Sequence, residues 1–207
     1  MEYKLDTNAA KQADSINARI SQTGKYTGTF SRAEPVTSKK GSQGVDFSFK
    51  AENGESADYL TIWTHNGKGE TLHGYKLLMA IMTCLRIKTL KSEEGEVEKY
   101  DADAKQRIKV SVPLFKDLMG KPIGLLLQME EYAKTAGGTA WKPAIFAPFD
   151  KDEFTASEIL SQASKPETLA KMVQALRDRP LKNGTATPAT AASNGGAFDD
   201  MDDDIPW

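Results

Sequence analysis

The sequence predicts a mainly β body of the β-rich α+β class, with added helices and a long polar tail. Three observations lead there. Within residues 25–65, segments of aromatic, β-branched and alternating character recur between short turn-rich stretches. One strongly apolar helical segment follows them, and further extended segments follow that helix. From Pro180 onward, large apolar side chains nearly vanish.

Residues 1–20 read as an amphipathic helical lead-in, with Ala9, Ala13, Ile16 and Ile20 at helical spacings and Gly24 as a stop. KYTGTFSRAEPV is rich in aromatic and β-branched residues and predicts a first strand, with Gly28 marking a bulge or sharp bend. SKKGSQG is a turn or mobile loop. VDFSFKA alternates, sending Val45, Phe47 and Phe49 to one face and Asp46, Ser48 and Lys50 to the other. ENGE is a hairpin turn. DYLTIWTH is a third strand, with Leu60 and Ile62 on one face and Tyr59, Thr61 and Trp63 on the other.

Thr71 is placed to cap the helix LHGYKLLMAIMTCLRI, whose Leu72, Leu78, Ile81, Met82 and Leu85 call for burial. KTLKSEEGEVEKYDADAKQR is polar, charged and weakly patterned, and predicts a long excursion. IKVSVPLF is a short strand or an extended lead to the turn MGKP. IGLLLQMEEYAK and AWKPAIFAPFD predict two closing strands, and Pro143 and Pro148 put the last at a sheet edge or at strand ends. TASEILSQ and KPETLAKMVQALRDR predict two short helices, with Pro166 in a first turn.

Three strands, a helix and two closing strands form the element order of the five-stranded, partly open barrel called the OB-fold. Other small β-rich α+β folds share that order. The expected organisation is an OB-like body over 1–179, a flexible linker over 180–198 and an acidic tip over 199–207.

Composition narrows the functional classes. Of 207 residues, 39% are hydrophobic and 27% charged, which suits a soluble globular body. No run of eighteen apolar residues exists, so no membrane span is expected. The opening MEYKLDTNAAKQADS has no basic segment followed by an apolar core, so a cytoplasmic protein is expected. Cys84 is the sole cysteine and lies in an apolar stretch, which predicts a small buried residue. His65 and His73 match no metal-ligand spacing, so neither metal nor cofactor is expected. GKGETLHG is not a phosphate-cradling loop, and the clustered aspartates fall in a polar tail without fixed geometry. An enzyme is therefore not expected.

The net charge of −2 is asymmetric. Residues 181–207 hold Lys182 and five aspartates, a net of −4, which leaves +2 on the first 180 residues. Such asymmetry marks an interaction tail. The aspartates repel one another and attract a basic surface, while Ile205 and Trp207 supply apolar anchors and Pro206 restricts the backbone.

The stretch DDMDDDIPW resembles the acidic tip of bacterial single-stranded-DNA-binding proteins, with Trp207 where those tails carry phenylalanine. The resemblance implies that Asp202, Asp203, Asp204, Ile205, Pro206 and Trp207 dock on replication, recombination and repair enzymes. TGKYTGTFSRAEPVTSKKGSQGVDFSF is similar to a group of small phage-encoded proteins found among replication and recombination genes. Together these imply a phage-type single-stranded-DNA-binding protein acting in a bacterial cytoplasm.

Binding unpaired strands without sequence preference needs cations along the phosphates and flat rings for the bases. Tyr59 and Trp63 oppose Leu60 and Ile62 and are the leading stacking candidates. Tyr26, Phe30 and Arg32 share one parity in the first strand, and the two rings fit a core reading as well. Lys39, Lys40 and Lys50 lie at neighbouring turns, and Trp141 and Lys142 open the last strand. Phe47 and Phe49 share a face with Val45 and are expected in the core. Two other readings keep the same residues: a recombination mediator or annealing protein, and a module that never touches DNA but recruits or inhibits a repair enzyme. A homo-oligomer is compatible with the exposed edges.

Overall fold

The computed structural model describes residues 19–101, 106–134 and 136–181. The predicted lead-in helix up to residue 18, nearly all of the linker and the whole acidic tip lie outside the described residues. Ile20, from the end of the lead-in, is buried, and Arg19 bridges to Ser56 rather than continuing a helix.

Among the described residues the strands are β1 (Gly24–Thr37), β2 (Gln43–Ala51), β3 (Ser56–His65), β4 (Glu93–Asp101), β5 (Gln106–Leu114), β6 (Pro122–Ala133) and β7 (Thr139–Phe149). The helices are α1 (His73–Cys84), α2 (Ala156–Leu160) and α3 (Thr168–Ala175), with a 3-10 turn over Lys116–Leu118. Five strands form one antiparallel sheet in the order β3-β2-β1-β6-β7. The chain runs through β1, β2 and β3 by short turns, leaves through α1 and the β4–β5 pair, and returns as β6 beside β1. That is a Greek-key path, extended by the hairpin to β7.

β1 serves two partners. Residues 24–29 pair with β6 and residues 28–37 with β2, so Gly28 lies at the changeover. A Cβ on Gly28 would fall 2.1 Å from the Lys50 carbonyl oxygen, an approach that only glycine permits. Gly28→Ala is therefore expected to destabilise the body by about 2 kcal/mol or more, read as a lower urea midpoint with an unchanged slope.

The sheet is not closed into the five-stranded barrel that the element order predicts. β3 and β7 are its edges and share no ladder, and α1 packs against both. Pro143 and Pro148 lack the N–H that a closing ladder needs, which suits β7 to an edge.

The core lies on one face of this sheet. Phe30, Phe47, Phe49, Leu60, Ile123, Leu125 and Leu127 are fully buried there, under Leu78, Ile81 and Met82 of α1. Phe30 stacks against Phe47 at 4.5 Å between ring centroids and meets Phe49 edge-on at 5.9 Å. A second cluster forms on the other face, where Leu126, Ala147 and Phe149 meet Leu169 of α3 and Leu176 just after it. Burial on both faces explains why the β6 segment reads as a continuous apolar run.

The predicted excursion holds β4, which pairs in a hairpin with β5, formed largely by the segment IKVSVPLF expected as a short strand or extended lead. Val97 pairs with Val110, Glu96 with Ser111 and Glu98 with Lys109. The ribbon presents valines on one face and charges on the other, and its base is tied to the sheet by the Phe115 N–H, which donates to the Ala33 carbonyl at 2.8 Å. Thr71 does not cap α1: it bridges to His65, and Leu72 takes the N-cap position without a side-chain bond. Pro166 precedes α3 instead of entering its first turn.

Cys84 is buried as expected. Burial, reinforced by nearby Asp150, pushes its thiol up to about 12, so it stays protonated and unreactive at neutral pH. Among the described residues no helix is long and apolar enough to cross a membrane.

Candidate nucleic-acid interface

The face of β1–β2–β3 away from the core gathers most of the polar and aromatic residues that the alternation turns outward. Three register shifts among these strands decide which ones. In β1 the register shifts between Phe30 and Arg32, leaving Ser31 as the extra residue. Phe30 therefore points into the core and Arg32 points out, although the two share a parity in the sequence. This removes Phe30 from the candidate contacts, because a fully buried ring cannot stack on a base.

The second bulge lies in β3. Leu60 pairs with Phe47 and Ala57 with Phe49, so Asp58 and Tyr59 together face Ser48. Tyr59 takes a left-handed backbone, with φ of 59°, at a cost of about 1 kcal/mol for a non-glycine residue. The result is a ring that is 73% exposed, with the Arg32 guanidinium 5.7 Å from its centroid.

Arg32 is held from several sides. It pairs with Asp46 and, at 3.3 Å, with Glu34, while its Nε donates to the Ser48 hydroxyl at 3.2 Å. The Thr61 hydroxyl donates to Asp46 at 2.6 Å. Burial pushes the Asp46 carboxyl up, and the Thr61 bond and the Arg32 charge act against that rise. With two carboxylates beside it, Arg32 orients the Tyr59 ring more than it presents a free cation.

Trp63, two steps beyond Thr61, is half-buried and shares the outward face. Its cross-strand neighbour is Gly44, and a Cβ there would come within 3.0 Å of the indole. Glycine at that position lets the ring lie against the β2 backbone. Lys50 is exposed at the other end of β2. Lys39 and Lys40 are exposed on the β1–β2 turn, which the Ser38 and Gly41 N–H groups close through bonds of 2.8 and 2.9 Å. Arg32, Tyr59, Trp63 and Lys50 thus share the outward face, with the lysine turn at one end of β1 and β2.

The other candidates do not join it. Tyr26 lies on the core side of β1, where its hydroxyl donates to the Gln22 carbonyl at 2.8 Å. Burial and nearby Glu55 both raise that phenol. Trp141, 45% exposed, sits opposite Glu131 on the far edge strand. Lys142 sits opposite Glu130 with its ammonium 5.4 Å from the Tyr132 ring. β7 and β3 are at opposite ends of the strand order, so three strands lie between these residues and β3 in the ladder.

Two rings that the sequence reading passed over stand beside Trp63. His65 ends β3 beyond a register shift between Gly44 and Gln43, so it does not share the Trp63 face, and its ring meets Tyr75 of α1 edge-on at 5.5 Å. Neither carried a usable signal: the register shift after Trp63 breaks the strand alternation at His65, and the helix of Tyr75 reads as a core element. Among the described residues, no group of three or more His, Cys, Asp or Glu side chains is placed to hold a metal ion. No protein-family model matches the chain, and no curated protein matches it in sequence.

Proposed function

We propose that the chain binds unpaired DNA without strong sequence preference and recruits partner enzymes through its acidic tip, in phage-type replication or recombination. One observation carries the DNA reading: at the β3 bulge Tyr59 stands out to solvent over Arg32, on the same strand face as Trp63, with Lys50 exposed near it on β2 and Lys39 and Lys40 exposed on the turn at the other end of that strand. Rings in line with cations are what sequence-independent binding of single strands requires.

The fold is consistent with that reading. A Greek key of five strands, a first strand shared by two half-sheets, and a helix between the third and fourth sheet strands fit an opened OB-type body. OB-folds bind oligonucleotides on the second and third strands and the loop between the first two, where Tyr59, Trp63 and the lysine turn stand here. The tip carries the recruitment reading through its composition alone: Asp202, Asp203 and Asp204 for attraction, and Ile205, Pro206 and Trp207 as anchors.

The test is a titration of fluorescent oligo-dT with the full chain over a series of salt concentrations. Saturable binding that weakens steadily with salt is expected. Absence of binding even in dilute buffer would overturn the reading. Deleting residues 199–207 is expected to tighten binding at low salt, since an acidic segment competes with phosphate for the same cations.

A further inference from the structure

We infer that the binding path continues past Trp63 onto the first turn of α1, where Tyr75 and His65 form a further stacking platform for unpaired bases. The inference rests on the DNA-binding reading above. Tyr75 is 37% exposed and its ring is braced edge-on by His65, with the planes at 66°. A braced ring loses little freedom when a base settles on it.

Two close backbone approaches seat this pair beside the outward face, across the edge of β3. A Cβ on Gly74 would fall 2.3 Å from the Trp63 carbonyl oxygen, so the turn of α1 that carries Tyr75 is seated directly on the strand that carries Trp63. A Cβ on Gly67 would fall 2.3 Å from the Lys40 carbonyl oxygen, so the turn after β3 rests on the lysine turn. Lys68 is exposed on that turn, and Lys76 is exposed one residue past Tyr75. The first turn of α1 holds no acidic residue, and Glu70 is engaged by the Asn66 amide at 2.6 Å. Lys68 on this turn, beside Glu70, offers a cation to a passing phosphate, and the first turn of α1 adds no carboxylate.

The geometry orders the rings as Tyr59, Trp63, then His65 with Tyr75. Tyr59 and His65 are six residues apart on β3, about 20 Å at the rise of a strand. A strand held only at Tyr59 and Trp63 is therefore shorter than one that also reaches Tyr75, and Tyr75 should matter only for longer ligands.

The experiment compares the full chain with Tyr75→Ala and Tyr75→Phe, using labelled oligo-dT of about 5 and about 15 nucleotides, within the usual range of OB site sizes. Tyr75→Ala is expected to weaken the longer strand about tenfold and leave the shorter unchanged, and Tyr75→Phe to bind both normally. No loss with the longer strand overturns the inference, and so does an equal loss at both lengths, which marks a merely structural role. Failure of the unaltered chain to bind either strand overturns the DNA-binding reading itself. A readout free of substitutions is ultraviolet crosslinking of the unaltered chain to oligonucleotides carrying bromodeoxyuridine. Tyr75 is expected to crosslink to the longer strand only, and its absence from the crosslinked peptides overturns the inference.

Discussion

The Tyr59→Ala/Trp63→Ala double variant is expected to bind oligo-dT at least about 100-fold more weakly than the unaltered chain. Each base stacked on an aromatic side chain is worth about 1–3 kcal/mol. The two residues are four apart on β3, about 13 Å, so their losses should add. The charge of the face is unchanged, so the slope of affinity against salt should stay nearly the same while the intercept falls. Tyr59→Gly sharpens the test. Glycine adopts a positive φ without strain, so this variant should hold or gain stability while losing affinity. Thermal melting and the titration together separate the two effects. Full binding by the double variant would move the site away from β3.

The largest effect on stability is expected at Glu158. Thr155 donates to this carboxylate through its backbone N–H at 2.9 Å and its hydroxyl at 2.7 Å. The Glu167 and Thr168 N–H groups donate to its other oxygen, each at 2.7 Å. One side chain therefore completes the capping box of α2 and satisfies donors at the start of α3. Burial pushes the Glu158 carboxyl up, but the backbone and hydroxyl bonds outweigh it and hold the group down at about 2. Glu158→Ala should cost about 3 kcal/mol, since bonds to a charged group are the strong ones and the freed donors lie in a buried joint.

The pH dependence follows from the direction of that shift. A carboxyl held below its unfolded value of about 4.3 stabilises the fold fully above that pH, and the contribution fades as pH falls toward about 2. The urea midpoints of the unaltered chain and Glu158→Ala should thus differ most at pH 7 and converge near pH 2. A gap of equal size at both pH values would show that the carboxylate charge is not what joins α2 to α3. Loss of that joint should also loosen α3, which covers Leu126 and Phe149 through Leu169.

Much of the fold was legible in the sequence. The alternation in VDFSFKA placed Val45, Phe47 and Phe49 in the core, and that in DYLTIWTH turned Tyr59 and Trp63 outward. The segment IKVSVPLF was legible as extended and forms most of β5, but β4 and its pairing were not, because its outer face is charged and an isolated ribbon lacks the strong apolar stripe of a sheet strand. Of the candidate residues, Tyr59, Trp63 and Lys50 lie on the outward sheet face, and Lys39 and Lys40 on the β1–β2 turn. Phe30 and Arg32 part company at a bulge, and Trp141 and Lys142 fall on the far edge strand.

By itself the sequence determined most of the strand segments of the sheet, which side chains between bulges face the same way, and where charge collects along the chain. Those are properties of neighbours in the chain, set by pleat and composition. The tertiary structure alone decided the bulges that turn Arg32 and Tyr59, the double pairing of β1 at Gly28, the opening between β3 and β7, and the seating of Tyr75 beside His65. Each of these depends on a residue far away in sequence. A bulge exists only against a partner strand, and a ring is exposed or covered only by what the fold brings next to it.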